Sequence, residues 1–592
     1  MTRGREWSRR YPPLLALIAA VVLAITALPS ALNLPTANPG EVAEYAPVPG
    51  HADAAPPNGN LAALGLGQGG VSEGGGGAAI GPGGQGLSPS DKHCVGTPPR
   101  QTEDPMSPPC VGYFAGNNGG ATYPGVSAGE VRVVLYITND QYHNGSQGEK
   151  PQPLGQCFNL ATAPSSGEPY FVTAGRIWQY YFNDRFETYG RKVHFWVCFA
   201  SASSAQAAAQ DAAQNYAAIH PFANFVDDFS GFGIDYIRAM AQHGVLNFGS
   251  SLAEPASVYR QYPGLIWSFD PSIEQHADQF ASYVCTKVVP YKVSFSGNAA
   301  DMNQPRRLGL LRSGDPSKPA FSEFASLVEA KIRACGGDVV ATATYPQEGY
   351  LVDANGGDTQ AAANNMPAFQ RARVTTVIWE EGMDDVTDMP AAARISWFPE
   401  WVLAGDSQID DIVFAKYQDR NELAHAWVVT NEPLLGPFHT YDCFQAEYET
   451  DPQLPPTDAS VPCQLYTGLR QLFTGIQVAG PRLTPASIDQ GFHAIPGNPS
   501  SSPREPACFY AQGDYTCVKD AAVMWYDTSA SSDYSATPGC WRAADGGVRY
   551  LAGRWPPGDV KSLQRISSDP CNNYDSTRYS DPSPGSGSPP TQ

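Results

Sequence analysis

The chain has 592 residues, with 37 basic against 58 acidic side chains and a formal charge of -21. At roughly 100–200 residues per domain, this length allows about two to four folded units. A balance this acidic leaves no electrostatic footprint for nucleic acid or an anionic membrane face, and it suits solubility outside a cell.

Arg3, Arg5, Arg9 and Arg10 precede an apolar run from Leu14 to Leu28 that breaks at Pro29. Residues 1–37 therefore read as a signal peptide or signal anchor. No cysteine lies near this run, so no lipid-anchored mature end is expected. Residues 38–90 are rich in Gly, Pro and Ala and cannot bury enough apolar surface to offset ordering entropy; they read as a disordered tether. Residues 91–126 carry Cys94, Cys110 and many prolines, and read as a disulfide-clamped segment.

A regular alternation follows. Val131 to Thr138 is a continuous apolar run, as a strand buried on both faces should be. Tyr170 to Tyr189 has helical spacing, Val193 to Ala200 is a strand, and Ser203 to Ile219 is an alanine-rich helix with a serine at its start. Phe222 to Val226 is a strand, Ile234 to His243 a helix and Val245 to Phe248 a strand. Leu265 to Phe269 is a further strand, and Ile273 to Lys287 a helix. The pattern then restarts: strand Arg307 to Leu311, helix Phe321 to Ala334, strand Val339 to Tyr345, helix Thr359 to Arg371, strand Val374 to Trp379, helix Asp385 to Ala393, strand Trp401 to Ala404. Repeated strand–helix units demand a parallel sheet covered by helices, and the restart near 300 predicts two α/β lobes, each with a doubly wound sheet.

In such sheets ligands sit at the carboxyl ends of strands, where the winding changes direction. That rule selects the loops Asn139 to Tyr142, Asp227 to Phe232, Gly249 to Leu252, Arg312 to Lys318, Glu380 to Met383 and Gly405 to Gln408. No Gly-x-Ser-x-Gly elbow, His-Glu-x-x-His pair or Gly-x-x-x-x-Gly-Lys loop is present, so no catalytic residue, cofactor or metal is expected. Asp227-Asp228 and Asp410-Asp411 are adjacent pairs whose side chains point to opposite faces on a strand, which argues against a shared acid/base site.

None of the 12 cysteines forms a Cys-x-x-Cys pair. An even count in an exported chain favours disulfides. Pairing of neighbours along the chain is the expectation: Cys94–Cys110, Cys157–Cys198, Cys285–Cys335, Cys443–Cys463, Cys508–Cys517 and Cys540–Cys571.

Phe229-Ser230-Gly231, the helix after it and Val245 to Glu254 (VLNFGSSLAE) resemble the first-lobe binding stretch of the type I periplasmic-binding proteins, the branched-chain amino-acid binding proteins of ABC importers. Phe269-Asp270-Pro271 with Gln275 is similar to that family's entry into the second lobe. Arg307 to Tyr345 is similar to the second lobe's opening, and Gly480-Pro481-Arg482-Leu483-Thr484 to a late turn. Gly539 to Tyr550 (GCWRAADGGVRY) resembles the C-terminal ends of actinobacterial members. The likeness spans about 127–555.

The resemblance implies a Venus-flytrap fold with a three-segment hinge. Lobe 1 would hold 127–285 and 420–480, lobe 2 would hold 286–412 and 505–555, and 556–592 would be a tail, disordered from about 581. It implies an extracytoplasmic protein, secreted or anchored by its N-terminal segment, that captures a small polar solute such as an amino acid for an ABC permease. Ser230 would hold a ligand carboxylate at a helix N-terminus. Gly249, Ser250 and Ser251 would form a binding turn, and Glu380, Glu381 and Asp406 would supply an acidic partner for an ammonium group. Asn139, Tyr142 and Phe232 would complete the walls. Gly231-Phe232-Gly233 replaces the family's hydroxyl-rich loop, and 143–168 and 346–358 are insertions. The rival readings are a membrane-tethered sensor of the same fold, an exported hydrolase and an envelope structural protein.

Overall fold

The central strands are apolar runs covered on both faces, and the helices pack one stripe onto them. The computed structural model describes residues 107–112, 114–138, 152–228, 232–249, 254–315, 319–346, 357–380, 387–405, 410, 415, 417–434, 443, 446, 450, 460–495, 497, 506–531, 538–565 and 571. In the first sheet the order is β2 (Cys157–Asn159), β3 (Lys192–Phe199), β1 (Glu130–Ile137), β4 (Ala223–Asp227), β5 (Leu246–Phe248), β6 (Ile266–Trp267). All pairings are parallel except β2 with β3. The run from Val133 to Ile137 is wholly buried, which a parallel sheet with helices on both faces requires.

Its helices are α1 (Tyr170–Arg185), α2 (Ala205–Ile219), α3 (Gly233–Gln242) and α4 (Ala256–Gln261). Ser204, one residue past the serine expected to start α2, accepts the Ala207 N–H at 3.2 Å and so fixes that start.

The second sheet is reached through α5 (Ile273–Tyr283), which a π turn prolongs over Val284–Val288. It is mixed, and its order is β13 (Pro538–Ala543), β12 (Asp520–Ser531), β11 (Ala426–Thr430), β10 (Glu400–Gly405), β9 (Thr376–Glu380), β7 (Leu308–Ser313), β8 (Val339–Tyr345), with β14 (Tyr550–Leu551) paired to β12. Its central strands are parallel, whereas β12 runs antiparallel to β11 and β13 antiparallel to β12. Helices α6 (Pro319–Ala334), α7 (Gly357–Arg371), α8 (Asp388–Arg394) and α9 (Arg420–Leu423) belong to this lobe.

The chain then returns to the first lobe as α10 (Ser460–Ala479) and α11 (Pro485–Phe492). Leu465, Leu469, Leu472, Phe473 and Ile476 form the apolar stripe of α10, and Phe473 stacks on Phe182 of α1 with ring centroids 5.1 Å apart. Both lobes lie within one compact unit.

Two sequence boundaries are corrected. The returning part of lobe 1 does not start at 420, because β11 pairs in parallel with β10 and so belongs to the second sheet. Nor is 556 the start of a free tail: Trp555, Val560 and Leu563 are buried in the second lobe's core, and Cys571 forms a backbone β-bridge with Arg542. Residues 1–106, which hold the expected export segment and tether, lie outside the described residues, as does the tail beyond 571. Among the described residues, no helix is long and apolar enough to cross a membrane.

Disulfides join Cys157 to Cys198, Cys285 to Cys335, Cys508 to Cys517 and Cys540 to Cys571. Cys110 and Cys443 are also disulfide-bonded. Cys94 and the side chain of Cys463 lie outside the described residues.

Three crossings join the lobes: Ser268 to Ser272, the stretch entered through Asn431 and Glu432, and the stretch from Asp514 to Lys519. The first and third are zipped together. Ser268 N–H donates to Tyr515 O at 2.9 Å, and Val518 N–H donates to Phe269 O at 2.9 Å. Gln275 Nε2 donates to Asp514 Oδ2 at 2.9 Å. The second crossing is gripped by Arg549, which donates to Asn431 O at 2.6 Å and Glu432 O at 2.7 Å while paired with Asp520 at 2.8 Å.

Candidate interlobe ligand site

Each sheet changes winding direction once. In the first, β1 leads to β3 on one side and β4 on the other; in the second, β7 is flanked by β8 and β9. Register aligns the carboxyl ends at these points, Ile137 with Asp227 and Arg312 with Glu380. A ligand in an open α/β sheet sits outside such a point.

At the first switch point the Thr138 N–H and hydroxyl both donate to Asp227 O, at 3.0 and 3.1 Å. The chain then turns so that Asp228 Oδ2 accepts the N–H of Gly233, the first residue of α3, at 2.8 Å. A methyl group at 233 would lie 2.6 Å from Asp228 Cγ, so only glycine admits this approach. The positive end of the α3 dipole thus already faces a fixed carboxylate. A ligand carboxylate at the same terminus would meet a like charge, whereas an ammonium group would find a partner.

The next strand end is built for shape. Gly249 has φ +77°, and a methyl group there would run into the Phe225 ring. Past it, Glu254 is only 9% exposed. Among the described residues no hydrogen bond or close ion pair holds its carboxyl group; burial pushes it up to about 8, with Asp228, Asp235 and Glu323 acting the same way and Arg238 opposing. Asp235 lies on α3 and is itself raised by burial and by Asp228. Glu323 lies on α6 of the second lobe and is raised by burial and by Glu274. The charges of carboxylates from both lobes therefore reach Glu254. Glu274 Oε2 caps the start of α4 by accepting the Ala256 N–H at 2.8 Å.

Of the residues selected from sequence, Phe232 and Gly249 fall in this rim. Phe232 precedes α3 without a side-chain cap bond and packs half-buried on the first lobe's core. Glu380 ends β9 beside Arg312, so its backbone stands at the second switch point; its side chain lies outside the described residues. Asn139, Tyr142, Ser230, Ser250, Ser251, Glu381 and Asp406 also lie outside them. Asp228 and Glu254 fall within stretches singled out from sequence, yet neither is given a role there. The signal for Asp228 is an acidic residue a few positions before a glycine-initiated helix; Glu254 carries none, because burial is set by chain folding. Among the described residues, no group of three His, Cys, Asp or Glu side chains is placed to hold a metal ion.

No family model matches this chain, and no curated protein matches it. Similar solved structures are type I periplasmic binding proteins of ABC transporters. One is a solute-binding protein of an ABC transporter from Rhodopseudomonas palustris in complex with 3,4-dihydroxybenzoic acid: 11% identity, 72% of this chain, 98% of that one, TM-score 0.47. A branched-chain amino-acid ABC transporter periplasmic ligand-binding protein from Burkholderia xenovorans has 11% identity over 71% of this chain and 96% of its own, with a TM-score of 0.48. A type 1 periplasmic binding protein from Bordetella pertussis has 12% identity over 67% and 96%, with a TM-score of 0.45.

Proposed function

We propose that this chain is an extracytoplasmic solute-binding protein that closes two lobes on a small polar ligand with a positively charged group, an amino acid or related amine, and hands it to an ABC-type permease. The observation that carries the reading is Glu254, a buried carboxyl group with no bonded partner among the described residues, placed between acidic side chains of both lobes. Bringing these lobes together concentrates negative charge in a poorly solvated space, and a cation in the gap offsets it. Closure is driven because such a ligand contacts both lobes and so binds the closed state better than the open one. No nucleophile, cofactor or metal enters this account; the chain binds and releases.

A thermal-shift screen of the purified chain tests it, with amino acids, amines, short-chain acids and sugars as probes. A ligand present at a hundred times its dissociation constant stabilises the folded form by about 2.7 kcal/mol. Amines or amino acids should raise the melting temperature in proportion to the logarithm of their concentration. Because Glu254 carries a proton at neutral pH, titration calorimetry in buffers of different ionisation enthalpy should show a proton released on binding. In Glu254→Gln that release should vanish and affinity fall about tenfold or more. Hits confined to acids or sugars would refute the cationic ligand, and a screen without hits would refute solute capture itself.

A further inference from the structure

We infer that the Gln275 amide is a reversible catch at the hinge: its hydrogen bonds to Asp514 and Thr516 hold the start of α5 against the Cys508–Cys517 hairpin in one arrangement of the lobes and are given up when the lobes rotate. Asp514 and Thr516 flank Tyr515, which belongs with Tyr510 and Cys517 to the first lobe's core and packs on Trp267, ring centroids 4.9 Å apart. Gln275 stands between Ile273 and Ala277 of the second lobe's core. Its Nε2 donates to Asp514 Oδ2 at 2.9 Å, and its Oε1 accepts the Thr516 hydroxyl at 2.7 Å. Two side-chain bonds thus run from one core to the other, beside the backbone bonds that zip the first and third crossings. The backbone bonds lie within the crossings and turn with them. Gln275 lies in the first turn of α5 and is carried along with the second lobe.

The cluster parts without stranding a polar group. The Thr516 hydroxyl has one hydrogen and two acceptors at the same 2.7 Å, Gln275 Oε1 and Asp514 Oδ1. Turned to Gln275 it bridges the lobes; turned to Asp514 it stays satisfied within the hairpin. Lys519 Nζ donates to Thr516 Oγ1 at 2.7 Å, to Thr516 O at 2.8 Å and to Asp514 Oδ2 at 2.9 Å, so these acceptors keep a partner in either state. Asp514 Oδ1 also takes the Thr516 N–H at 3.1 Å. On the other side, Gln275 Oε1 accepts the Ser272 N–H at 2.9 Å in the capping box of α5 and keeps that bond after release. Only the Gln275 Nε2 donor changes partner, and Gln275 is half-buried, so water takes the place of Asp514. The contact therefore favours one lobe arrangement modestly and leaves no large penalty in the other, as a hinge that moves both ways requires. The catch works whatever solute the cleft takes, since none of its groups belongs to the rim around Glu254.

The test needs a direct view of lobe separation. Tyr180 on α1 and Val548 in the second lobe are 66% and 49% exposed, and none of the described cysteines is free, so Y180C and V548C accept spin labels selectively. Pulsed electron–electron distance measurements on the full chain, without added solute, read the population of the lobe separation seen in this structure against all others. Gln275→Glu keeps an acceptor for the Ser272 N–H but has no hydrogen to give Asp514, and it should shift that ratio against this separation by about tenfold. Thr516→Val removes the bridging hydroxyl and should shift it the same way by about threefold, whereas Thr516→Ser keeps the hydroxyl and should match the native chain. Asp514→Asn added to Gln275→Glu exchanges donor and acceptor across the same gap and should bring the ratio back toward the native one, a recovery that an unfolded or loosened chain cannot give. Distances unchanged in Gln275→Glu would overturn the catch, as would a double variant no closer to the native chain than the single one.

Discussion

Glu422 offers the most direct test of how burial governs this protein's response to pH. It sits on α9 with no solvent exposure, and Glu422 Oε2 accepts the Trp401 Nε1–H at 2.9 Å. Its Oε1 is buried with no hydrogen-bond partner among the described residues. Burial pushes the carboxyl up to about 8, nearby Asp419 adds to the rise and the Trp401 bond opposes it. In the unfolded chain the same group titrates near 4.5. Between these values the folded state holds a proton that the unfolded state has released, so stability is greatest below about 4.5 and falls as pH rises toward 8. Each pH unit removes about 1.4 kcal/mol, which over the whole interval sets a ceiling of about 5 kcal/mol. Water reaches the site whenever the single turn of α9 frays, so a loss of about 2–4 kcal/mol is the working expectation. Glu422→Gln keeps an oxygen for Trp401 and removes the titration. Denaturant unfolding followed by tryptophan fluorescence at several pH values from about 5 to 8 should therefore show the variant losing about one proton's worth of slope relative to the native chain. Parallel pH profiles for the two proteins would refute the reasoning, since the carboxyl would then titrate alike in both states.

Two further outcomes follow from other parts of the fold. Arg306 makes a two-pronged pair with Glu400, at 2.7 and 3.2 Å, and Glu400 also accepts the Thr376 hydroxyl at 2.7 Å. Glu400→Ala should cost about 3–5 kcal/mol, and pairing it with Arg306→Met should recover most of that in unfolding experiments; a double variant as unstable as the single one would contradict this account. Gly249→Ala combines a left-handed backbone with a clash on Phe225, so it should destabilise the first lobe by about 2–4 kcal/mol in the same assay. Gly513→Ala, at φ +78° but with open space around it, should cost only about 1 kcal/mol, and equal losses at the two positions would contradict the clash.

Much of the fold is legible in the sequence because parallel strands buried on both faces are continuous apolar runs, as VRVVLYI and FANFV are. Pairing partners are not local, and that is where the reading strayed. The run AWVVT at β11 announces a strand but not its sheet, so it fell to the wrong lobe. The antiparallel β12 is twelve residues of mixed polarity beside an edge, and no parallel-sheet pattern anticipates it. At the rim, the rule of carboxyl ends reaches Gly249 and Phe232. It gives Asp228 no role, because that residue's work as a helix cap depends on the turn taken through Gly233. It is equally silent on Glu254, whose raised proton affinity arises from burial and from the charges of Asp228, Asp235 and Glu323, the last of them 69 residues further along the chain.

The rim and the first crossing share a wall. The Tyr259 hydroxyl meets the Glu254 backbone and the Ser268 side chain, and Ser268 Oγ accepts the Asp270 N–H at 3.1 Å. The rim carboxyl and the first crossing are thus neighbours across one tyrosine, whose buried hydroxyl is raised further by the charges of Glu254 and Asp270. A ligand cation that takes the place of the Glu254 proton restores the local charge, so filling the cleft leaves the electrostatic balance of this wall nearly where it stood. Occupancy of the rim is in this way felt at the residues that join the two lobes, which is what a cleft that closes on its solute requires.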